Sequence, residues 1–295
     1  MSEFSIDALL PAEMATRAEY LGVRKAEMPI LRMFMLAVLA GAFIALGAVF
    51  STTASAGGIP VTDAAGLPVY SASLPYGVVR LLAGIVFSLG LILVVVGGAE
   101  LFTGNNLIVM AWASGKVSAP ALLKNWAIVY AGNFFGSVGT AVLVFLGRQY
   151  TFGGNAVGIS ALRTAVAKCD LDFPQALALG ILCNALVCMA VWLTFSARST
   201  IDKILAIIFP ITAFVAAGFE HSVANMYFVP YALLIKYLDP GFLAAVSAQV
   251  PHAGNLTWSA FLLRNLLPVT IGNIIGGAVL VAAVYWAIFL RRNEL

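Results

Sequence analysis

The sequence predicts an all-helical integral membrane protein with six membrane-spanning segments in a single domain. Of its 295 residues, 62% are hydrophobic and only 10% are charged, and the mean hydropathy is +0.99. This composition excludes a soluble globular domain. Six apolar segments are long enough to cross a bilayer, at about residues 31–54, 78–112, 126–146, 173–195, 204–235 and 266–290.

The membrane domain therefore extends over about residues 31–290, between an N-terminal segment at 1–30 and a short tail at 291–295. Stretches rich in turn-forming residues at 57–75, 147–172 and 236–258 are predicted to be loops. The net charge of +3 is small, and no basic run indicates nucleic acid as a partner.

Two of the six segments are too long to form one straight helix. The fifth would measure ~48 Å at a rise of ~1.5 Å per residue, whereas the hydrocarbon core of a bilayer is ~30 Å thick. A break is expected at Gly218, and another at Gly98 in the second segment. Interrupted backbone at membrane depth is tolerated only where it lines protein or a water-filled cavity.

The break in the fifth segment carries the residues with the clearest chemistry. Glu220 and His221 follow Gly218 directly, in the middle of an apolar stretch. An ionisable pair at that depth indicates a transport path, but a structural pair that joins two helices is equally favoured by these residues alone.

The two halves of the chain repeat two motifs in the same order. The motif Gly-x-Glu-x-x-x-x-Asn occupies residues 98–105 and, 120 positions later, residues 218–225. The stretch 122–136 recurs 140 positions later as 262–276, with its Leu-Leu-basic-Asn and Gly-Asn-x-x-Gly elements at identical spacing. Each half, about 31–146 and 173–290, contains an odd number of spans, so the halves cross the membrane in opposite directions. Inverted repeats with matching broken helices indicate a transport site near the midplane.

The repeated motifs also predict how the helices pack. Small residues four positions apart allow helix backbones to approach closely in lipid. These pairs are Gly132 with Gly136, Gly136 with Thr140, and Gly272 with Gly276. We assign Asn133 and Asn273 to hydrogen bonds between helices, directed at the broken segments. Glu100 and Glu220 are predicted to cap backbone donors of those segments.

The distribution of lysine and arginine favours a cytoplasmic location for both termini. In that orientation ten of the sixteen basic residues lie on the inner side. From Ser5 to about Leu21 the apolar residues follow one helical face, which is typical of an interfacial helix beside the membrane. An ordinary solvated cap explains this segment almost as well.

Nothing in the sequence indicates an enzyme or a metalloprotein. The three cysteines, Cys169, Cys183 and Cys188, lack paired spacing, and His221 and His252 are the only histidines. Neither His-Glu-x-x-His nor Gly-x-Ser-x-Gly occurs, so we predict no catalytic residue, metal or cofactor. A water or glycerol channel would share the topology, but paired Asn-Pro-Ala triplets are absent.

Four segments together strongly resemble the formate/nitrite transporter family. They are 98–103 (Gly-Ala-Glu-Leu-Phe-Thr), 124–126 (Lys-Asn-Trp), 218–226 (Gly-Phe-Glu-His-Ser-Val-Ala-Asn-Met) and 268–277 (Pro-Val-Thr-Ile-Gly-Asn-Ile-Ile-Gly-Gly). Residues 10–15 also fit the N-terminal segment of bacterial formate channels, to which the chain looks closest. The match spans nearly the whole chain, although the loop at 57–75 looks longer than in the family and the stretch around 151–165 departs from it.

This resemblance implies an aquaporin-like six-helix bundle with an inverted 3+3 repeat and interrupted helices two and five. It further implies a homopentamer in the bacterial inner membrane, with one pore in each protomer. The N-terminal segment resembles one proposed to gate the inner mouth of the pore.

The resemblance also implies roles for individual residues. His221 would be the central histidine of the pore, with Thr103 facing it. Independently of the resemblance, Glu220 borders His221 and is a candidate for orienting or charging the imidazole. The other pathway positions are Asn184 and Asn273 near the centre and Lys168 near the outer mouth. The apolar constrictions would be Phe87, Leu91, Leu101, Phe102 and Phe214.

These residues predict how a small monovalent anion would cross. An apolar constriction disfavours the naked anion, because the desolvation cost attaches to its charge. His221 is the one core side chain whose unperturbed pKa is near neutrality. We therefore expect the anion to take a proton at His221 or to pair with its charged form. Formate is the expected substrate; nitrite, hydrosulfide, lactate and acetate remain alternatives, and a neutral solute is less favoured.

Overall fold

A computed structural model of the chain describes residues 7–65, 68–72 and 74–291. The predicted start of the N-terminal helix at Ser5 and the tail from residue 292 lie outside the described residues. The described helices are α1 (Pro11–Ala26), α2 (Ile30–Ala54), α3 (Tyr76–Gly97), α4 (Val109–Ala113), α5 (Ala119–Leu146), α6 (Ala156–Asp170), α7 (Phe173–Ser196), α8 (Thr200–Ala216), α9 (Ser222–Leu238), α10 (Pro240–Ala245), α11 (Leu267–Ile274) and α12 (Val284–Phe289).

Shorter helical turns complete the described chain. They are the 3₁₀ turns Gly104–Ile108, Gln149–Thr151, Ser247–Gln249 and Ala253–Asn255, and the π-helical stretches Ala260–Leu266 and Ile275–Ala283. The π-helical stretches join α11 and α12 into one continuous helical rod, Ala260–Phe289, which is treated as a single membrane-spanning helix.

Five of the described helices are long and apolar enough to cross a membrane, namely α2, α3, α5, α7 and the rod Ala260–Phe289. The remaining predicted span consists of α8 and α9, with 17 residues each. The predicted interruptions are confirmed: α3 ends before Gly98 and α8 before Gly218, whose φ angles are 76° and 78°. Glycine suits both breaks because side chains disfavour this left-handed conformation.

The described part of the chain departs from the all-helical prediction in the loop at 57–75. Strands β1 (Ile59–Thr62) and β2 (Pro68–Ala72) form an antiparallel hairpin there, with Ile59 opposite Ala72. Outside this hairpin, the regular secondary structure of the described residues is helical.

The prediction of a plain loop at 147–172 is wrong, because this stretch contains α6. The turn-forming residues Gly153 and Gly154 end before α6 begins at Ala156. Helix α6 buries residues three or four positions apart, which is the spacing of one helical face. These residues include Val157, Ala161, Leu162, Ala165 and Cys169.

Close helix crossings bear out the prediction that the paired glycines serve packing. A Cβ added to Gly136 would lie 1.9 Å from the backbone oxygen of Val38 in α2, and one added to Gly276 would lie 2.1 Å from that of Ile181 in α7. Both distances are far inside van der Waals contact, so only glycine fits at these crossings. The outer faces of the helices retain exposed apolar side chains such as Phe209, as expected for helices solvated by lipid.

Candidate transport site

Asn133 satisfies the backbone groups that the break after α3 leaves unpaired. Its side-chain oxygen accepts a hydrogen bond from the N–H of Phe102 at 2.9 Å. Its amide nitrogen donates to the carbonyl oxygens of Ala37 and Glu100 at 2.8 and 2.9 Å. One fully buried side chain therefore ties the interrupted segment to α2 and α5, as the sequence predicts.

Asn273 makes the same set of bonds in the second half of the chain. Its oxygen accepts from the N–H of Ser222 at 2.9 Å, and its nitrogen donates to the carbonyl oxygens of Gly180 and Glu220 at 2.8 and 3.0 Å. The repeat that the sequence contains is thus also a repeat of hydrogen bonds.

His221 and Thr103 meet where the two interrupted segments come together. The ring nitrogen Nε2 of His221 lies 3.1 Å from the hydroxyl oxygen of Thr103. The other ring nitrogen, Nδ1, accepts a hydrogen bond from the N–H of Ala224 at 3.0 Å and so caps the start of α9. Because Nδ1 acts as the acceptor, the neutral ring carries its proton on Nε2, which donates to Thr103.

Buried neighbours hold this pair in position. The amide nitrogen of Asn184 donates to the carbonyl oxygens of Thr103 and Asn273, at 3.3 and 2.7 Å. The thiol of Cys188 also points at the carbonyl oxygen of Thr103, 3.3 Å away. The ring of Phe214 stacks on the imidazole of His221 with 5.8 Å between centroids. Thr103, Asn184 and His221 therefore form one connected group.

The prediction that Glu220 caps backbone donors is wrong. One carboxylate oxygen accepts from the ammonium group of Lys168 at 2.6 Å, and the other accepts from the side-chain amides of Asn225 and Asn265 at 2.7 and 3.1 Å. At this break the side chain of Asn273, rather than a carboxylate, forms the hydrogen bonds to the unpaired backbone groups. Glu220 is instead a buried anion balanced by a lysine.

Glu100 has equivalent surroundings in the first half of the chain. The prediction that it caps backbone donors is therefore wrong as well. It accepts from the ammonium group of Lys25 at 2.8 Å and from the amide of Asn105 at 2.7 Å. Asn105 donates in turn to the side-chain oxygen of Asn125, as Asn225 does to Asn265.

Lys25 is the counterpart of Lys168 and was not among the residues predicted from the sequence. Asn125 donates to the backbone oxygen of Lys25, and Asn265 donates to that of Lys168, both at 3.0 Å. A signal existed: each lysine precedes an acidic residue by two positions, shortly before a spanning helix begins.

Two cavities approach the group formed by Thr103, Asn184 and His221 from opposite directions. The α6-side cavity, of about 80 Å³, is lined by residues that include Phe87, Lys168, Phe214 and His221. The α1-side cavity is larger, about 560 Å³, and its lining includes Lys25, Leu91, Glu100 and Leu101. Phe214 also packs edge-on against Phe87, with 5.6 Å between ring centroids.

Several other predicted site residues do not line these cavities. Thr103, Asn184 and Asn273 are fully buried and line neither cavity. Phe102 was predicted to form a constriction, but its ring packs edge-on against Trp126 and Tyr130, with centroids 6.1 and 4.9 Å apart. Among the predicted apolar constriction residues, Phe102 alone lines neither cavity.

Interrupted helices, a buried polar centre and two opposed cavities define a multi-pass membrane transport protein. Residues 12–287 match the family model described as formate/nitrite transporter, and the chain belongs to that family. The family resemblance stated from the sequence is thereby confirmed. Membership also confirms that the chain is a transport protein rather than an enzyme.

Individual relatives cover nearly the whole chain. It is 44% identical over 289 residues to the formate channel FocA of Escherichia coli strain K12, covering 98% of this chain and 97% of that protein. It is 38% identical over 273 residues to formate channel FocA of Haemophilus influenzae, covering 92% of each.

Solved structures agree with these relatives. A structure titled pentameric formate channel with formate bound superposes with a TM-score of 0.79 at 44% identity, over 89% of this chain and 98% of that one. An FNT family ion channel superposes with a TM-score of 0.73 at 27% identity, over 94% of this chain and 98% of that one.

Proposed function

We propose that this protein carries formate across the bacterial cytoplasmic membrane along a path that joins the two cavities at His221. The relatives named as formate channels support formate as the substrate. The single observation that carries the proposal is the position of His221, whose ring lines the α6-side cavity and bonds Thr103 on the opposite interrupted segment.

The apolar residues on either side of His221 provide the selective barrier. Phe87 and Phe214 flank the ring on the α6 side, while Leu91 and Leu101 line the α1 side. A charged ion loses its hydration here, and its transfer costs far more than that of the neutral acid. The N-terminal, positive end of α9 lies directly after its N-cap residue His221 and draws the anion toward the ring.

His221 is the proposed proton-handling group. When the ring is charged, an anion in the α6-side cavity either pairs with it or takes one of its protons. In the second case an N–H bond of the ring breaks, the O–H bond of the neutral acid forms, and the acid crosses the barrier. The neutral ring regains a proton from water in the cavity before the next anion arrives. A charged ring needs a proton on Nδ1, which would remove the hydrogen bond from Ala224. Losing a helix N-cap costs about 1 kcal/mol. This cost makes the charged ring short-lived, which favours transfer of its proton to the anion over a long-lived ion pair.

The finer architecture belongs to the same proposal. The matched bonds of Asn133 and Asn273 support an aquaporin-like bundle built from two inverted halves of three spans each. The distribution of basic residues supports cytoplasmic termini, with α1 at the inner mouth. The pentameric relative supports a homopentamer in the lipid bilayer. Residues 1–30 remain the proposed interfacial and gating segment, and residues 31–290 the transport domain.

Nitrite, hydrosulfide, acetate and lactate are proposed as alternative substrates, because the apolar barrier acts on the charge of any small monovalent anion in the same way.

Formate uptake into proteoliposomes at two pH values tests the proposal. His221→Asn keeps a side-chain acceptor for the α9 cap but removes the imidazole, and His221→Ala removes both. His252→Asn is the matched control, because His252 is exposed, lines neither cavity and has a φ of 62° that asparagine tolerates.

We expect the wild type and His252→Asn to take up formate faster at the lower pH, and both His221 variants to lose that acceleration. Uptake by His221→Ala at an unchanged rate and with unchanged pH dependence would overturn the proton-handling role. A wild type that takes up no formate would overturn the substrate assignment.

A further inference from the structure

Arg80 is a second basic residue of the α6-side cavity, and the function proposed above gives it no role. It lies in the first turns of α3, half-buried, and lines the cavity together with Lys168 and His221. Its Nε–H donates to the carbonyl oxygen of Ala216 at 3.3 Å, and its Nη2 donates to that of Val215. These carbonyls belong to the last turn of α8, directly before the break at Gly218.

The geometry of the guanidinium group leaves part of it free for a ligand. Arginine presents five N–H donors on a rigid planar fork. The edge formed by Nε and Nη2 is occupied by the two α8 carbonyls. Within the described residues, no hydrogen bond engages Nη1, so the edge formed by Nη1 and Nη2 is available.

The charges of Arg80 and Lys168 are compensated differently. The ammonium group of Lys168 lies 2.6 Å from the carboxylate of Glu220, which neutralises it locally. Arg80 has no carboxylate within 4.0 Å in the part of the chain that the structure describes. The carbonyl end of α8 offsets only part of its charge, since a helix terminus carries about half an elementary charge. Arg80 is therefore the less compensated of the two cations at this cavity.

We propose that Arg80 is a specificity-determining residue of the transport path. Its Nη1–Nη2 edge binds both oxygens of a planar two-oxygen anion, such as formate or nitrite, in the α6-side cavity before the anion reaches His221. Two parallel N–H···O bonds match the geometry of such an anion. Hydrosulfide has a single acceptor atom, its sulfur, and therefore cannot accept two parallel bonds of this kind. This inference rests on the proposed function and adds to it the basis of selection.

Arg80→Lys tests the inference because it keeps the charge and removes the fork. Proteoliposomes take up labelled formate at a concentration far below its half-saturation value. Unlabelled formate, nitrite or hydrosulfide is then added as competitor, and the half-inhibitory concentration of each is measured. Arg163→Lys is the matched control on α6, where the side chain is exposed and lines neither cavity.

We expect Arg80→Lys to raise the half-inhibitory concentrations of formate and nitrite about tenfold, the factor expected for losing one charge-assisted hydrogen bond. The value for hydrosulfide should change less than twofold, and Arg163→Lys should match the wild type for all three.

Two results would overturn the inference. Equal shifts for all three competitors, accompanied by a lower melting temperature, would mean that Arg80 only caps α8. Unchanged values for all three would mean that the guanidinium does not contact the anion. Either result leaves the proposed function intact, because that function fails only if the wild type itself takes up no formate.

Discussion

Phe87 and Leu91 lie one helical turn apart on α3, yet they line different cavities. Phe87 lines the α6-side cavity and Leu91 the α1-side cavity, and both side chains are almost completely buried. Four residues of α-helix extend about 6 Å. On the proposed path, the barrier between the cavities is therefore expected to be about as thick as one helical turn at α3.

Shortening Leu91 is expected to increase formate flux. Leu91→Ala opens space beside the barrier. Water that enters this space shortens the apolar stretch that the substrate must cross. A barrier lowered by about 1 kcal/mol raises the rate roughly fivefold. The same substitution should reduce stability by about 2–5 kcal/mol, because it leaves a cavity. Flux per folded protein, measured in proteoliposomes, checks the prediction.

Leu82→Ala on the exposed face of α3 is the control for Leu91→Ala and should leave flux unchanged. An unchanged or slower flux through folded Leu91→Ala would contradict a barrier at this residue.

Lys168 and Glu220 are expected to be strongly coupled in stability. Removing one partner by Lys168→Met or Glu220→Gln leaves a buried charge unpaired, which costs about 3–5 kcal/mol. The double variant leaves neither charge and should lose at least ~1 kcal/mol less than the sum of the single variants. Chemical unfolding in detergent measures the free energies.

The pair Lys25 and Glu100 supplies a comparison within the same chain. The side chain of Lys25 is 32% exposed, whereas that of Lys168 is 14% exposed. Solvent screening should therefore make the Lys25–Glu100 coupling the smaller one. A larger coupling at Lys25–Glu100 would contradict the view that burial sets the strength of these pairs.

Asn273→Leu is expected to destabilise the protein as severely as any single replacement near the site. It leaves the N–H of Ser222 and the carbonyl oxygens of Gly180 and Glu220 without their buried partner. Each unsatisfied group costs about 1–3 kcal/mol. Asn133→Leu should cost a similar amount because it breaks the equivalent bonds. The melting temperature in detergent measures both, and a small loss for only one of the two would contradict the structural equivalence of the halves.

The ionised carboxylate of Asp239, at the junction of α9 and α10, is expected to stabilise the folded protein, and acid is expected to remove this stabilisation. The backbone N–H of Phe242 and the hydroxyl of Tyr150 hold the pKa of Asp239 below its ordinary value. A carboxyl whose pKa is lowered by folding stabilises the folded state above the unfolded pKa of about 3.9, and this stability is lost as the pH falls through the folded pKa.

The comparison of wild type with Asp239→Asn isolates this contribution from the other carboxylates. The wild type should melt higher than Asp239→Asn at pH 6, and the difference should shrink steadily below about pH 4. A difference that stays constant down to pH 3 would show that the charge of Asp239 contributes nothing.

The sequence alone located the breaks and the packing of the bundle. Only two apolar segments are too long for one straight span, and the repeated motif Gly-x-Glu-x-x-x-x-Asn begins at Gly98 in one and at Gly218 in the other, so both breaks were identifiable. The spacing of Gly136 and Gly276 predicted the close helix crossings, and the repeat pointed to Asn133 and Asn273. These features are local or periodic in the sequence, and therefore they can be predicted from hydropathy and residue spacing.

The tertiary structure decided which groups meet. Glu220 accepts from Lys168, which is 52 residues away, and Glu100 accepts from Lys25, which is 75 residues away. No periodicity connects such positions, because α1 and α6 lie outside the spans that define the repeat. The same holds for Phe102, whose ring packs against Trp126 and Tyr130 of α5. Side-chain partners across a bundle depend on how its helices cross, and only the folded chain sets those crossings.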